Sequence, residues 1–217
     1  MEHCGENLRT VYMQASFDLH VIPFFMKQMM SAVVCLHQQD IIHCNLNPLN
    51  VFCTVDNHVR LMGFDEARVD RVGFRSEISN REALAHGLHV GELLYRAPEI
   101  LMGFTKFSVK VDLWSLGCIL AELFTKETLF IKDNIDDVLD EIFEVLGGAE
   151  DKDAEELSVF PGWLEKFTFE PPLPGWTSRF SRDVGGASFL SSLVTLSPSR
   201  LSALGKIYFK ILFKTRT

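Results

Sequence analysis

At 217 residues, with 47% hydrophobic and 23% charged side chains, the chain has the composition of one ordinary globular domain with a full core. Twenty-one basic residues against 29 acidic ones, a net charge of −8, argue against a nucleic-acid partner, because phosphate contacts need a basic face. The start MEHCGENLRT carries acids where a secretory leader needs bases, and no unbroken apolar run approaches about 18 residues, so an intracellular protein, cytoplasmic or nuclear, without a membrane partner is expected.

In chain order, apolar side chains recur between Asp18 and Gln38 at Phe25, Met29, Val33 and Leu36, the spacing of an amphipathic helix, with Pro23 near its start. Two short runs, Val51 to Val55 and Val59 to Met62, flank the turn formers Asp56 and Asn57 and predict a small β-hairpin. VDLWSLGCILAELF is apolar almost all round, the pattern of a helix buried on every side, with Asp112 placed to cap it. A further helix, Ile135 to Leu146, puts Val138, Leu139, Ile142, Phe143 and Leu146 on one face and stops at Gly147-Gly148. Residues 160–198, rich in Pro, Gly and Ser, read as a long ordered loop, and Leu201 to Leu212 as a last amphipathic helix. The five cysteines, Cys4, Cys35, Cys44, Cys53 and Cys118, never form a Cys-x-x-Cys pair and fit reduced thiols better than a disulfide frame or a zinc site. The fold expected is one mainly α domain over 1–217 with a minor hairpin.

Taken in order, IIHCNLNPLNVF, RLMGFDEAR, LLYRAPEILMG and VDLWSLGCILAELFTKETLF resemble the C-terminal lobe of eukaryotic protein kinases. YRAPEILMG and DLWSLGCILAE are most similar to the cyclin-dependent and MAP kinase group. MEHCGENL resembles the hinge between the kinase lobes, which makes 1–8 hinge-like and 63–99 activation-segment-like. The resemblance implies that this chain lacks the N-lobe, since it has neither a G-x-G-x-x-G loop nor a V-A-I-K lysine.

Phosphoryl transfer is mostly positioning and charge neutralisation, so each charged part of the family pattern can be checked. Where H-R-D-L-K-P-x-N has its catalytic aspartate, this chain has Asn45, whose amide cannot accept the substrate proton. Asn47 replaces the lysine that would meet the γ-phosphate, and Cys44 replaces the arginine that holds a phosphorylated activation loop. The metal aspartate of D-F-G is Gly63. Asp65 lies beyond Phe64, so placing its carboxylate at the metal would drag Phe64 out of its packing position. Asn50, a second magnesium ligand in the family, keeps its type and is a vestigial metal position. The position of the family's activating threonine falls on Gly87, and Glu92 stands where a threonine usually bridges base and lysine. Vestigial nucleotide contacts fall on the hinge at Glu2 and Cys4, on Asn7 for the ribose, and on Phe52 under the adenine ring.

The pattern retains structural parts. His43, Phe64 and Asp112 match a stacked column in the family; Trp114 and Leu116 match core positions; Glu99 would pair with Arg216. The sequence therefore predicts a pseudokinase that needs no cofactor and works by binding a protein. The alternative is a serine/threonine kinase, using Mg-ATP, whose N-lobe is missing from this chain. Two surfaces are expected to serve binding. Between residues 133 and 156 there are 11 acids against the single base Lys152, so the net negative charge of the molecule concentrates there. The other is the face an N-lobe would cover, around Met1 to Cys4, Phe52 and Phe64.

Overall fold

A computed structural model describes residues 5–69, 91–104, 107–147, 158 and 190–196. Strand β1 (Glu6–Asn7) runs directly into helix α1 (Leu8–Met13), because the Asn7 side chain accepts the Thr10 N–H and starts the helix. Helix α2 (Ile22–His37) follows a 3-10 turn at Leu19–Val21, and Pro23 occupies its first turn, where an absent N–H costs nothing. Its buried stripe is Ile22, Phe25, Met26, Met29, Met30 and Val33; Leu36, expected on that stripe, is only half-buried.

Counted from Leu19 to His37, this segment is long and apolar enough by length and composition to cross a membrane, with a mean hydropathy of 1.5 and 33% of it buried. The core helix of a globular domain passes the same test. Lys27 and Gln28 interrupt the apolar run, and the buried face of the helix packs on Val59–Leu61 and Lys110–Thr125.

The expected hairpin is strands β3 (Val51–Cys53) and β4 (Val59–Leu61), paired antiparallel with Phe52 opposite Arg60. Gln28 of α2 fastens it, donating to the Asn57 carbonyl and accepting from the Val59 N–H, each at 3.0 Å. Strand β1 adds to the other edge of β3, giving the order β1-β3-β4, and a separate pair joins β2 (Ile41–Ile42) to β5 (Arg68–Val69). Two-residue strands carry no alternation, so neither β1 nor the second pair was expected.

Helix α3 (Pro98–Leu101) is a single turn that leads to helix α4 (Lys110–Thr125), whose residues are buried from Val111 to Leu123 apart from Leu113. Trp114 and Leu116 are fully buried, and Trp114 lies flat on Phe130 with ring centroids 5.9 Å apart. Asp112 does not cap α4. The N-cap is Val109, without a side-chain bond, and Asp112 lies inside the first turn with its carboxylate turned toward another loop. Gly117 lets residues 193–194 approach α4 closely, because a Cβ there would stand 2.6 Å from Val194 Cγ2. Those residues lie at the end of a helical stretch at 190–193, inside the segment expected to be loop, with Leu190, Leu193 and Val194 buried. Helix α5 (Ile135–Leu146) has the expected bounds, with Asn134 as N-cap, Gly147 as its stop, and Val138, Leu139, Ile142 and Phe143 buried. The expected helix at 201–212 lies outside the described residues, as does the rest of 160–198 apart from 190–196.

Candidate active site

The loop between β2 and β3 is organised by one buried carboxylate. Asp112, 0% exposed, accepts the His43 N–H and the Cys44 N–H at 2.9 Å each, and the His37 imidazole at 2.7 Å. A buried carboxylate is tolerable only when several donors replace its water, and here α2 and the loop supply them. Cys44 can therefore hold a left-handed backbone, φ +63°, without losing its N–H bond. Burial pushes its thiol up to about 12, with Asp112 acting in the same direction, so this position carries no charge at neutral pH.

His43 sits beneath the site. The Asn45 N–H donates to its Nδ1 at 3.3 Å, which leaves the proton on Nε2 to donate to the Met62 carbonyl at 2.8 Å. Burial holds this imidazole below its ordinary value, and the neutral form is the one both bonds require. The Phe64 ring lies 4.6 Å from the His43 ring, so the structure brings His43, Phe64 and Asp112 together as expected.

Three amides follow, and they bond to one another. Asn45 Oδ1 accepts from Asn47 Nδ2 at 3.0 Å and from the Glu92 N–H at 3.2 Å. Asn47, buried, uses its own Oδ1 for the N–H groups of Leu49 and Asn50. Asn50 Nδ2 donates to the Asn45 carbonyl at 2.9 Å. An amide cannot take up a proton near neutral pH, and it brings no full charge to a phosphate. The cluster can hold a loop shape, but it contains no acid, base or cation.

Gly63 completes the site. Its backbone is left-handed, φ 75° and ψ 47°, and a Cβ added there would meet the Cγ, Nδ2 and Oδ1 of Asn50 at 2.5 Å each. The Asn50 amide thus occupies the room a side chain at 63 would need. A magnesium ion is held by carboxylates and phosphate oxygens, and among the described residues no group of three or more His, Cys, Asp or Glu side chains could hold a metal. Among the described residues no carboxylate stands at position 63, where the family's metal aspartate would hold Mg-ATP, and Asp65 is exposed in a 3-10 turn after Phe64.

The remaining expected positions divide. Asn7 Oδ1 serves as the N-cap of α1, bonding the Thr10 N–H at 2.9 Å and its hydroxyl at 3.1 Å. Phe52 is half-buried on β3, whereas Phe64 is 42% exposed. Glu2, Cys4, Gly87 and Arg216 lie outside the described residues. Of the acids from 133 to 156, Asp137 and Glu141 have structural duties: Asp137 accepts from the Asn134 amide, and Glu141 accepts the N–H groups of Ile131 and Lys132. Asp133, Asp136, Asp140 and Glu144 are exposed, and residues 148–157 lie outside the described set.

One cluster escaped the sequence reading. Glu122 of α4, 1% exposed, receives the hydroxyls of Tyr12 from α1 and of Tyr95, one on each carboxylate oxygen. Burial raises both tyrosines well above their ordinary value, and the carboxylate beside them adds to the effect. Ser115 holds Tyr95 from the other side, donating to its carbonyl at 2.8 Å. The available signal was a glutamate inside an otherwise apolar helix, which demands buried donors.

A family model described as "Protein kinase domain" matches residues 1–203, most of the chain. The chain belongs to the protein kinase family, and its helix-dominated architecture with few strands fits a kinase-like fold.

Proposed function

We propose that this chain is a catalytically inactive kinase-like lobe, of the cyclin-dependent and MAP kinase type, that acts by binding protein partners. The observation that carries the reading is the closed amide network of Asn45, Asn47 and Asn50, with Asn50 filling the space beside Gly63. A working site needs a base, a cation and a metal carboxylate at those places, and losses within one catalytic unit do not simply add. The expected partner is a basic protein docking on the exposed acids of α5, joined by contacts to the apolar face at Phe64 and Met62, both more than a third exposed. A serine/threonine kinase completed by an N-lobe outside this chain is the second reading, favoured by the retained Asn50 and the intact Asp112 anchor.

Two measurements test the proposal. Titration with Mg-ATP under thermal denaturation is expected to leave the melting temperature unchanged, and saturable stabilisation would favour the second reading. Reversing the charge of Asp136, Asp140 and Glu144, which make no structural bond that Asp137 and Glu141 make, is expected to remove basic proteins from a pull-down. Unchanged capture, also in a Phe64→Glu variant, would remove both surfaces from the account.

A further inference from the structure

The pair β2–β5 is held by more than its ladder. Two strands of two residues are marginal on their own, and the register sets Arg68 opposite Ile42, next to Cys44. From there the Arg68 guanidinium lies over the Phe107 ring, its carbon 4.4 Å from the ring centroid and inside the ~6 Å reach of a cation–π contact. Phe107 stands between α3 and α4, so the contact ties a strand to the stretch that leads into the buried helix. Both side chains are half-buried, and the partial loss of water strengthens the attraction.

No carboxylate competes for that cation among the described residues. Glu66, whose charge reaches the Cys44 thiol together with that of Arg68, makes no ion pair with Arg68, and the Arg68 Nε is buried without a hydrogen-bond partner. The Cys44 thiol itself is uncharged at neutral pH. Gly91 adjoins the same residue: its backbone is left-handed, and a Cβ there would stand 2.5 Å from the Cys44 carbonyl oxygen. Arg96 donates to the Gly91 carbonyl at 2.6 Å, and Arg96 and Phe107 line the same small cleft as Cys44.

We propose that Arg68 and Phe107 form a clasp that fastens β5 to the stretch before α4 and so holds residues 41–44 and 66–69 in place with no anion on the guanidinium. Where the family pattern sets an arginine at position 44 against a phosphorylated loop, this chain has an uncharged thiol and engages Arg68 on an aromatic face instead. The clasp makes the shape of this side of the loop independent of phosphate on the chain. It stands whether or not the chain transfers phosphate, so its failure would leave the inactivity reading untouched.

The test is hydrogen exchange on the full chain, before and after phosphatase treatment. Phe107→Leu keeps an apolar side chain and removes the π face, Arg68→Gln removes the cation, and Arg68→Lys keeps the charge without the planar fork. Exchange of residues 41–44 and 66–69 is expected to run about tenfold faster in Phe107→Leu and in Arg68→Gln, while α4 exchanges as in the parent. The double variant is expected to be no faster than the faster single one, and Arg68→Lys, the mildest change, to fall between the parent and Arg68→Gln. Effects that multiply in the double variant overturn the proposal, because ring and guanidinium would then act separately. No acceleration in either single variant, or equal acceleration of α4 in all three, overturns it as well. So does faster exchange of the parent at 41–44 after phosphatase treatment, or saturable slowing there by inorganic phosphate, since either would show that an anion holds Arg68.

Discussion

The two ends of one loop have opposite characters. From Ile42 to Cys44 the chain is buried and tied to a charged group, with Asp112 collecting two backbone N–H bonds and a histidine from across the fold. From Asn45 to Asn50 it is held by neutral amides that bond mainly within six residues. The first half fixes where the loop lies; the second half is where a kinase would do chemistry. The contrast teaches that positioning and reactivity are separable: the loop is placed by Asp112, whereas phosphoryl transfer depends on charges that Asn45, Asn47 and Gly63 do not carry.

Breaking the first half should have the largest effect. Asp112→Ala leaves two backbone N–H groups and His37 without their acceptor in the core, and a loss of about 3–5 kcal/mol in urea denaturation is expected. Asp112→Asn keeps an oxygen acceptor and should cost clearly less. A loss below about 1 kcal/mol for the alanine variant would contradict the anchoring role.

The Glu122 cluster should come next. Glu122→Leu orphans the hydroxyls of Tyr12 and Tyr95, for an expected loss of about 2–4 kcal/mol, partly recovered by adding Tyr12→Phe and Tyr95→Phe. The triple variant proving no more stable than Glu122→Leu would show that the hydroxyls were not the cause.

The second half can be sharpened by restoring a carboxylate. Gly63→Asp puts a Cβ 2.5 Å from the Asn50 amide on a left-handed backbone, and a loss of about 1–3 kcal/mol is expected. Asn50→Ala in the same chain should recover part of it, a coupling of about 0.5–3 kcal/mol in a double-mutant cycle. Strict additivity would mean that Asn50 does not fill that space.

The smallest effect is that of pH. His43 has its folded value below the ordinary 6.5 because burial disfavours its charged form. The unfolded chain then takes the proton first, so this contribution is complete above about pH 6.5 and is lost as pH falls below it. Cys53 and Cys44 run the other way: burial pushes them up from 9.0 to about 11 and about 12. Their contribution is complete below about pH 9 and is lost as pH rises, because the unfolded thiols ionise first. Urea midpoints across pH 5 to 11 should form a plateau with both shoulders, and Cys53→Ala should soften the alkaline one.

What the sequence made legible follows from range. Helices α2, α4 and α5 and the β3–β4 hairpin were readable because periodicity and turn formers act over neighbouring residues. Asp112 was misread as a cap because its partners stand 68 to 75 residues away. The fold brings together Asn45, Asn47, Asn50 and Gly63, which the motifs had singled out. They could not reveal that the amides satisfy one another, nor that Asn50 packs on Gly63, since both depend on backbone angles that residue types leave open. The strands β1, β2 and β5 were too short to leave any pattern.

The central claim is that the amide half of the loop transfers no phosphate, and the direct measurement is radiolabel transfer from Mg-ATP to the chain itself and to a generic protein substrate. The account predicts no signal above that of an Asn50→Ala control, and none in Gly63→Asp alone, because Asn45 and Asn47 would still supply neither base nor cation. Reproducible transfer by the unaltered chain that disappears in Asn50→Ala would contradict it.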